Sequence, residues 1–193
     1  MKQLIIVILL LLISGIALAQ DAFNAARNNN VDELRQLLVS GVNLNTPDAR
    51  GYTPLILAVY NNQEEAVQFL IDAGVDVNAQ DGSGNTALMG AAFKGYMDMA
   101  VLLVKGGANV NKVNSNNATA LIFAATFGQA DIVTLLLDHN TDVTIADRFG
   151  KTALDHAQIQ GNEDIIVLLK RRCLNWVFKT KRDTLWCPFF FID

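Results

Sequence analysis

Apolar residues recur at helical spacing through most of the chain. Between residues 21 and 172, sets such as Val67, Leu70 and Ile71 follow the i, i+3, i+4 pattern of one buried helix face. Polar stretches rich in turn-forming residues, such as residues 78–84, separate these sets. The pattern predicts an all-α fold of short amphipathic helices, arranged as helix-turn-helix units and joined by β-hairpin-like loops.

The pattern repeats every 33 residues. Threonines recur at that interval, each followed by alanine or proline and then by leucine: Thr53, Thr86, Thr119 and Thr152. Alanine follows each threonine after five residues, and glycine or asparagine follows after nine. Threonine before an apolar run caps a helix N-terminus, and glycine or asparagine suits a left-handed helix end. The interval therefore predicts units that stack into one continuous core, because none can bury its apolar face alone.

The repeated unit resembles the ankyrin repeat. Residues 51–56 (Gly-Tyr-Thr-Pro-Leu-Ile) and 84–89 (Gly-Asn-Thr-Ala-Leu-Met) follow the family signature Gly-x-Thr-Pro-Leu-His, without its histidine. The family's histidine is replaced in all four copies, by Ile56, Met89, Ile122 and Asp155. The resemblance implies an all-α solenoid over residues 20–172. Its five repeats are expected at about 20–50, 51–83, 84–116, 117–149 and 150–172.

The first 19 residues differ from the repeats. Lys2 is their only charged residue, residues 4–13 are all apolar, and Ala17 and Ala19 place small residues before a cleavage position. This layout predicts a secretory signal peptide that is cleaved after Ala19. The alternative is an uncleaved anchor, but its apolar stretch of 16 residues is shorter than the ~20 that a spanning helix needs. We therefore expect export, periplasmic or secreted, and no stable membrane insertion after cleavage.

The net charge of -4 combines two unlike parts of the chain. Residues 20–169 contain 17 acidic and 8 basic residues, whereas residues 170–193 have a net charge of +4. The acidic array excludes a dominant basic surface, so nucleic acid is not an expected partner. Without residues 1–19 the hydrophobic share still falls in the globular range of about 45–50%, which excludes disorder of the whole chain and a multi-span membrane protein.

Groupings for chemistry are not evident in the sequence. The two histidines, His139 and His156, have no second histidine, cysteine or carboxylate pair at metal-ligand spacing. Neither a phosphate-binding loop nor a His-Glu-x-x-His helix occurs. We therefore predict no catalytic residue, metal, cofactor or small-molecule substrate, and an enzyme would need an unrecognised site.

A protein-binding surface is the expected function. The resemblance implies binding through the hairpin tips and through the concave face lined by the first helix of each repeat. Carried over position by position, it gives these candidate partner-binding residues: Arg50, Tyr52, Tyr60, Asn85, Phe93, Lys94, Phe127, Arg148 and Phe149. For Phe93 and Phe127, packing against the neighbouring repeat is an equal alternative. The partner is then a protein. The chain itself is expected to be either a periplasmic helper of an enzyme or a secreted effector that acts on host proteins.

Residues 173–193 depart from the repeat. They contain both tryptophans and both cysteines of the chain. One interpretation is a C-terminal cap for the solenoid, with a disulfide between Cys173 and Cys187 outside the cytosol. A second is a basic, aromatic segment that contacts a membrane surface or a partner. A third is out-of-frame or otherwise atypical coding.

Overall fold

The computed structural model describes the backbone of residues 20–179 and the side chains of residues 20–172. These residues form five consecutive helix pairs, with no β-strand among them apart from two isolated bridges, Gln80–Thr86 and Ala146–Thr152. The helices are α1 (residues 20–27), α2 (Val31–Val39), α3 (Pro54–Tyr60), α4 (Glu64–Asp72), α5 (Ala87–Lys94), α6 (Met97–Lys105), α7 (Ala120–Thr126), α8 (Ala130–Asp138), α9 (Ala153–Gln160) and α10 (Glu163–Lys179). The predicted all-α solenoid of five helix-turn-helix repeats is confirmed.

The periodic threonines begin the first helices of the second to fifth repeats. Thr53, Thr86, Thr119 and Thr152 all have extended backbones and place the side-chain oxygen as acceptor for the N–H three residues later. Without that acceptor the N–H would have no partner inside the helix. Pro54 occupies the first helical position of α3, where it sacrifices no hydrogen bond.

The expected left-handed residues end these helices. Gly95 and Gly161 have φ of 74° and 71°, and Asn29 and Asn62 have φ of 56° and 57° at the matching positions. Glycine adopts this region without steric cost, and asparagine tolerates it better than most residues. The chain can therefore reverse within two or three residues and start the second helix.

Small side chains allow the first helices to pack closely. Ala58, Ala91, Ala124 and Ala157 are completely buried at equivalent positions of α3, α5, α7 and α9. Neighbouring first helices contact each other more closely than neighbouring second helices do. One apolar core therefore runs from repeat to repeat.

A second polar period, not among the predicted features, shapes the hairpins. Asp48, Asp81, Asn114 and Asp147 lie 33 residues apart. In each, one side-chain oxygen accepts hydrogen bonds from the N–H groups two and four residues later, at 2.8–2.9 Å. Each hairpin tip then bonds to the next through backbone groups, for example from the N–H of Gly82 to the carbonyl of Arg50 at 2.8 Å. The four hairpins form one connected ribbon.

Asparagines in the loops that follow the second helices also join successive repeats. The side-chain oxygens of three of them accept backbone N–H groups from the following repeat, at 2.7–2.8 Å: Asn45 from Asp76, Asn78 from Asn109, and Asn111 from Asp142. Each such bond satisfies a loop N–H and fixes the offset between two repeats.

The last helix is longer than the other second helices. α10 has 17 residues, whereas α2, α4, α6 and α8 have 9 each. The boundary drawn at residue 172 therefore falls inside a helix. The predicted signal peptide (residues 1–19) and the predicted pairing of Cys173 with Cys187 lie outside the described side chains.

Candidate protein-binding face

The nine candidate residues share one surface of the stack. We call this surface the first-helix face and define it as α3, α5, α7 and α9 with the hairpins at residues 48–52, 81–85, 114–118 and 147–151. Arg50, Tyr52 and Asn85 lie in the first two hairpins, and Arg148 and Phe149 lie in the last. Tyr60, Phe93, Lys94 and Phe127 lie at the ends of the first helices.

Two tyrosines and an arginine form a cluster on the second repeat. The rings of Tyr52 and Tyr60 meet edge to face with centroids 6.1 Å apart. The guanidinium carbon of Arg50 lies 5.1 Å from the centroid of the Tyr52 ring, within the range of a cation–π contact. Burial raises the pKa of the Tyr60 hydroxyl, and the nearby carboxylate of Asp81 raises it further. Tyr60 is therefore neutral at physiological pH and can donate a hydrogen bond to a partner.

A glycine makes room for Tyr60 on the neighbouring repeat. Gly90 lies in the middle of α5, where a Cβ atom would be only 3.3 Å from carbons of the Tyr60 ring. Three other first helices carry side chains at this position, namely Leu57, Phe123 and His156. The absence of a side chain at Gly90 therefore lets the tyrosine lie directly on the helix of the next repeat.

Three phenylalanines form a second cluster, across α5 and α7. The rings of Phe93 and Phe127 meet edge to face at 4.7 Å, and Phe123 stacks against Phe127 at 6.5 Å. Phe93 and Phe127 nevertheless remain 39% and 46% exposed. The rings therefore pack against each other between neighbouring repeats and also face solvent, and their contact with a partner stays a prediction.

Phe123 was absent from the sequence-based candidates. It lies four residues before Phe127, so the two side chains share one side of the helix, and it is half-buried beneath the exposed rings. The i, i+4 spacing of two phenylalanines was the available signal. The ammonium of Lys94 lies 5.7 Å from the Phe93 centroid and places a positive charge at the edge of the cluster.

The last hairpin carries the most exposed aromatic of the face. Phe149 is 71% exposed at the hairpin tip, and the guanidinium carbon of Arg148 lies 4.6 Å from its ring centroid. Ile159, on the neighbouring helix α9, is 63% exposed. Apolar surface therefore continues to the last repeat.

Asn85 differs from the other candidates because its side chain is occupied within the hairpins. Its oxygen accepts a hydrogen bond from the side-chain nitrogen of Asn114 at 2.8 Å, and its nitrogen donates to Asp81 at 3.3 Å. The geometry shows a residue that holds two hairpins together. A contact between Asn85 and a partner stays a prediction.

The two histidines have different surroundings. His139 caps the C-terminus of α8, where its Nδ1 lies 2.8 Å from the carbonyl oxygen of Leu135. His156 lies 2.9 Å from the carboxylate of Asp147, a partner in the last hairpin that sequence spacing did not suggest. Burial alone would raise the pKa of Asp147, but hydrogen bonds from the N–H groups of Lys151 and Phe149 and from His156 lower it overall. The pair anchors the last hairpin to α9.

Neither a metal-binding cluster nor a membrane-spanning helix occurs in the described part of the chain. There, no three His, Cys, Asp or Glu side chains are grouped so that they could hold a metal ion. No helix of residues 20–179 combines the length and apolar character needed to cross a membrane.

Comparison with known families accounts for the repeat. The family model for ankyrin repeats (3 copies) matches residues 22–114 and residues 88–175. No curated protein matches the chain. The two matched ranges together cover most of the sequence and all the helix pairs described above. The chain belongs to the ankyrin-repeat family, whose arrays serve as protein–protein interaction modules.

Proposed function

We propose that this chain is an exported, non-catalytic protein-binding module whose partner contacts the first-helix face. The exposure of Phe93 and Phe127 on adjacent first helices carries this proposal. Large aromatic side chains supply much of the energy of protein interfaces. Aromatic rings held at the surface by neighbouring helices give a partner two adjacent anchors.

Hydrogen bonds within the array order the face without a partner. Threonine caps fix the start of each first helix, and hydrogen bonds from one hairpin tip to the next fix the ribbon beside them. A surface that is ordered in advance loses little conformational entropy on binding. This supports recognition by a preformed surface.

Export is the second part of the proposal, and the composition of residues 1–19 supports it. A periplasmic protein that supports or restrains an enzyme fits this arrangement, and so does a secreted effector that binds host proteins. The source organism and the neighbouring genes discriminate between these two settings. Intact mass and fractionation test export itself: a mature protein that begins at Gln20 supports it, and a membrane-bound chain that retains residues 1–19 contradicts it.

Affinity capture tests the binding face. The purified protein is used as bait for proteins of its own compartment, beside a variant with Tyr60→Ala, Phe93→Ala and Phe127→Ala. A control with Val39→Ala and Val167→Ala removes exposed apolar side chains from the second helices α2 and α10, where they are 84% and 51% exposed. We expect the control to retain the specific partner and the aromatic variant to lose it.

The folding of each bait is checked by circular dichroism and thermal unfolding. A Phe93→Ala, Phe127→Ala double variant keeps Tyr60 on Gly90, so it tests the face with less loss of packing. Equal capture by the wild type and the folded double variant would show that the interface lies elsewhere. Turnover of a small molecule, without any partner, would instead favour an enzyme.

A further inference from the structure

Exposed carboxylates lie mainly on the second helices of the array. Every second helix carries exposed carboxylates near its N-terminus, such as Glu64 in α4, Asp98 in α6 and Asp131 in α8. These side chains account for much of the negative charge of residues 20–169. They belong to the second helices and so lie outside the first-helix face as defined above.

The carboxylates of the first-helix face are engaged within the fold. Asp48, Asp81 and Asp147 accept the hairpin N–H groups, and Asp155 accepts the N–H and hydroxyl of Thr152. None of the four is classed as exposed. Hydrogen bonds from backbone N–H groups partly offset their charge.

The basic residues of the same face are all exposed, namely Arg50, Lys94, Arg148 and Lys151. Three of them lie over aromatic rings: Arg50 over Tyr52 at 5.1 Å, Lys94 over Phe93 at 5.7 Å and Arg148 over Phe149 at 4.6 Å. Among the described side chains, no lysine or arginine forms an ion pair with a carboxylate. The face thus presents three cation–aromatic pairs at its surface.

We propose that the first-helix face binds an acidic peptide segment in which Asp or Glu residues flank aromatic or large aliphatic side chains. This inference rests on the proposed function and names the chemistry of its partner. Each cation–aromatic pair offers two adjacent contacts, a charged one for a carboxylate and an apolar one for the neighbouring side chain. Stacking on the ring also restricts the cation, which lowers the entropy lost when a carboxylate binds.

The remaining charge of the array directs such a segment to this face. The carboxylates of the second helices repel an acidic partner, whereas the exposed cations of the first-helix face attract it. A nucleic acid would meet the same repulsion without carrying the aliphatic side chains that fit the phenylalanine cluster. A second copy of this chain, bound through its acidic second helices, is the other possible occupant of the face. The experiment below distinguishes it from a peptide partner.

Peptide selection tests the proposal directly. A phage library that displays random 12-residue peptides is selected on the purified full chain and on two variants. One variant removes three cations of the face, Arg50→Gln, Lys94→Gln and Arg148→Gln. The matched control, Arg35→Gln with Lys105→Gln, removes two exposed cations from the second helices, including one that stacks on Phe69 at 5.2 Å.

We expect peptides selected on the wild type and on the control to be enriched in Asp and Glu beside Phe, Trp or Leu. Their affinity for the triple variant should fall by about tenfold, because the peptide carboxylates lose three exposed cations, each of which contributes modestly to binding. Higher salt should weaken their binding to the wild type.

Failure of the inference and failure of the proposed function give different results. If the selected peptides are apolar and lack acidic residues, or bind the triple variant as tightly as the wild type, the partner is not acidic. The proposal that this face binds a protein is unaffected by that result. If no peptide competes with the partner captured by affinity and the folded aromatic variant still captures it, the proposed face itself is wrong. Sedimentation that shows a dimer lost in the triple variant identifies a second copy as the occupant and also overturns the inference.

Discussion

The side-chain oxygen of Asn78 accepts a hydrogen bond from the backbone N–H of Asn109 at 2.7 Å, so one repeat holds the loop of the next. The nitrogen of the same side chain donates to the carbonyl of Gly107 at 3.3 Å. A single amide thereby satisfies two backbone groups of a neighbouring unit. This contact fixes the position of one repeat relative to the next, although it adds nothing to the apolar core.

Replacing Asn78 with alanine should destabilise the array. Asn78→Ala leaves a loop N–H and a carbonyl without their partner, and we expect a loss of about 1–2 kcal/mol in the free energy of unfolding. Urea unfolding followed by circular dichroism measures it. Thr144 occupies the equivalent place in the last copy, and within the described part of the chain its hydrogen bonds stay inside its own turn. Thr144→Ala should therefore change stability by less than about 0.5 kcal/mol. Equal losses for the two variants would contradict this account.

Gly90 and Tyr60 should be energetically coupled. Alanine in a helix interior is more stable than glycine by about 1 kcal/mol, but at Gly90 the new methyl would press on the Tyr60 ring. We therefore expect Gly90→Ala to gain less in the wild type than in a Tyr60→Ala background. A double-mutant cycle in urea should give a coupling of at least about 0.5 kcal/mol. Equal gains in both backgrounds would show that the ring moves aside without cost.

The cap at Thr119 should stabilise α7 through its hydroxyl group. Thr119 is 1% exposed, and its oxygen accepts the N–H of Ile122 at 3.3 Å. Thr119→Val keeps the shape but removes the acceptor, so we expect a loss of about 1–2 kcal/mol in the free energy of unfolding. Thr119→Ser retains the acceptor and should lose less. Thermal and urea unfolding of both variants decide the matter, and a serine variant as unstable as the valine variant would point to packing instead.

Asp147 should make the stability of the last repeat depend on pH. Its pKa in the folded protein lies below the ordinary value of 3.8, so the folded state favours the ionised carboxylate. The resulting stabilisation is fully present above about pH 4 and is lost as the pH falls through the folded pKa. Asp147→Asn should therefore be less stable than the wild type at pH 6, and the gap should narrow towards pH 3. Urea unfolding across this range measures it, and a constant gap would exclude a titrating contribution.

The helix boundaries could be predicted because their causes are local. Thr86 before an apolar run and Gly95 after it predict the start and end of α5. Equivalent residues recur every 33 positions and support the same prediction in the other repeats. The hairpin residues Asp48 and Asp81 share the same interval, yet they were missed. Aspartate is common in turns of every kind, so its presence did not reveal which two N–H groups it accepts.

Contacts between repeats were less accessible from the sequence. The position of Phe93 on the first helix of its repeat follows from the 33-residue interval, whereas its ring contact with Phe127 depends on how closely α5 and α7 approach. The pairing of His156 with Asp147 likewise joins a helix to a hairpin nine residues away. Such contacts depend on side-chain direction and helix spacing, neither of which periodicity specifies.

The hairpins separate what maintains the fold from what meets the solvent. In the last hairpin the carboxylate of Asp147 satisfies the turn, and the bond to the preceding hairpin runs between backbone groups, from the N–H of Arg148 to the carbonyl of Asn116. The side chains of Arg148 and Phe149, at the tip, are therefore not needed to form this hairpin. Substitutions at these positions can therefore change which partner binds with little effect on the stability of the fold. Natural selection or protein engineering can alter specificity there.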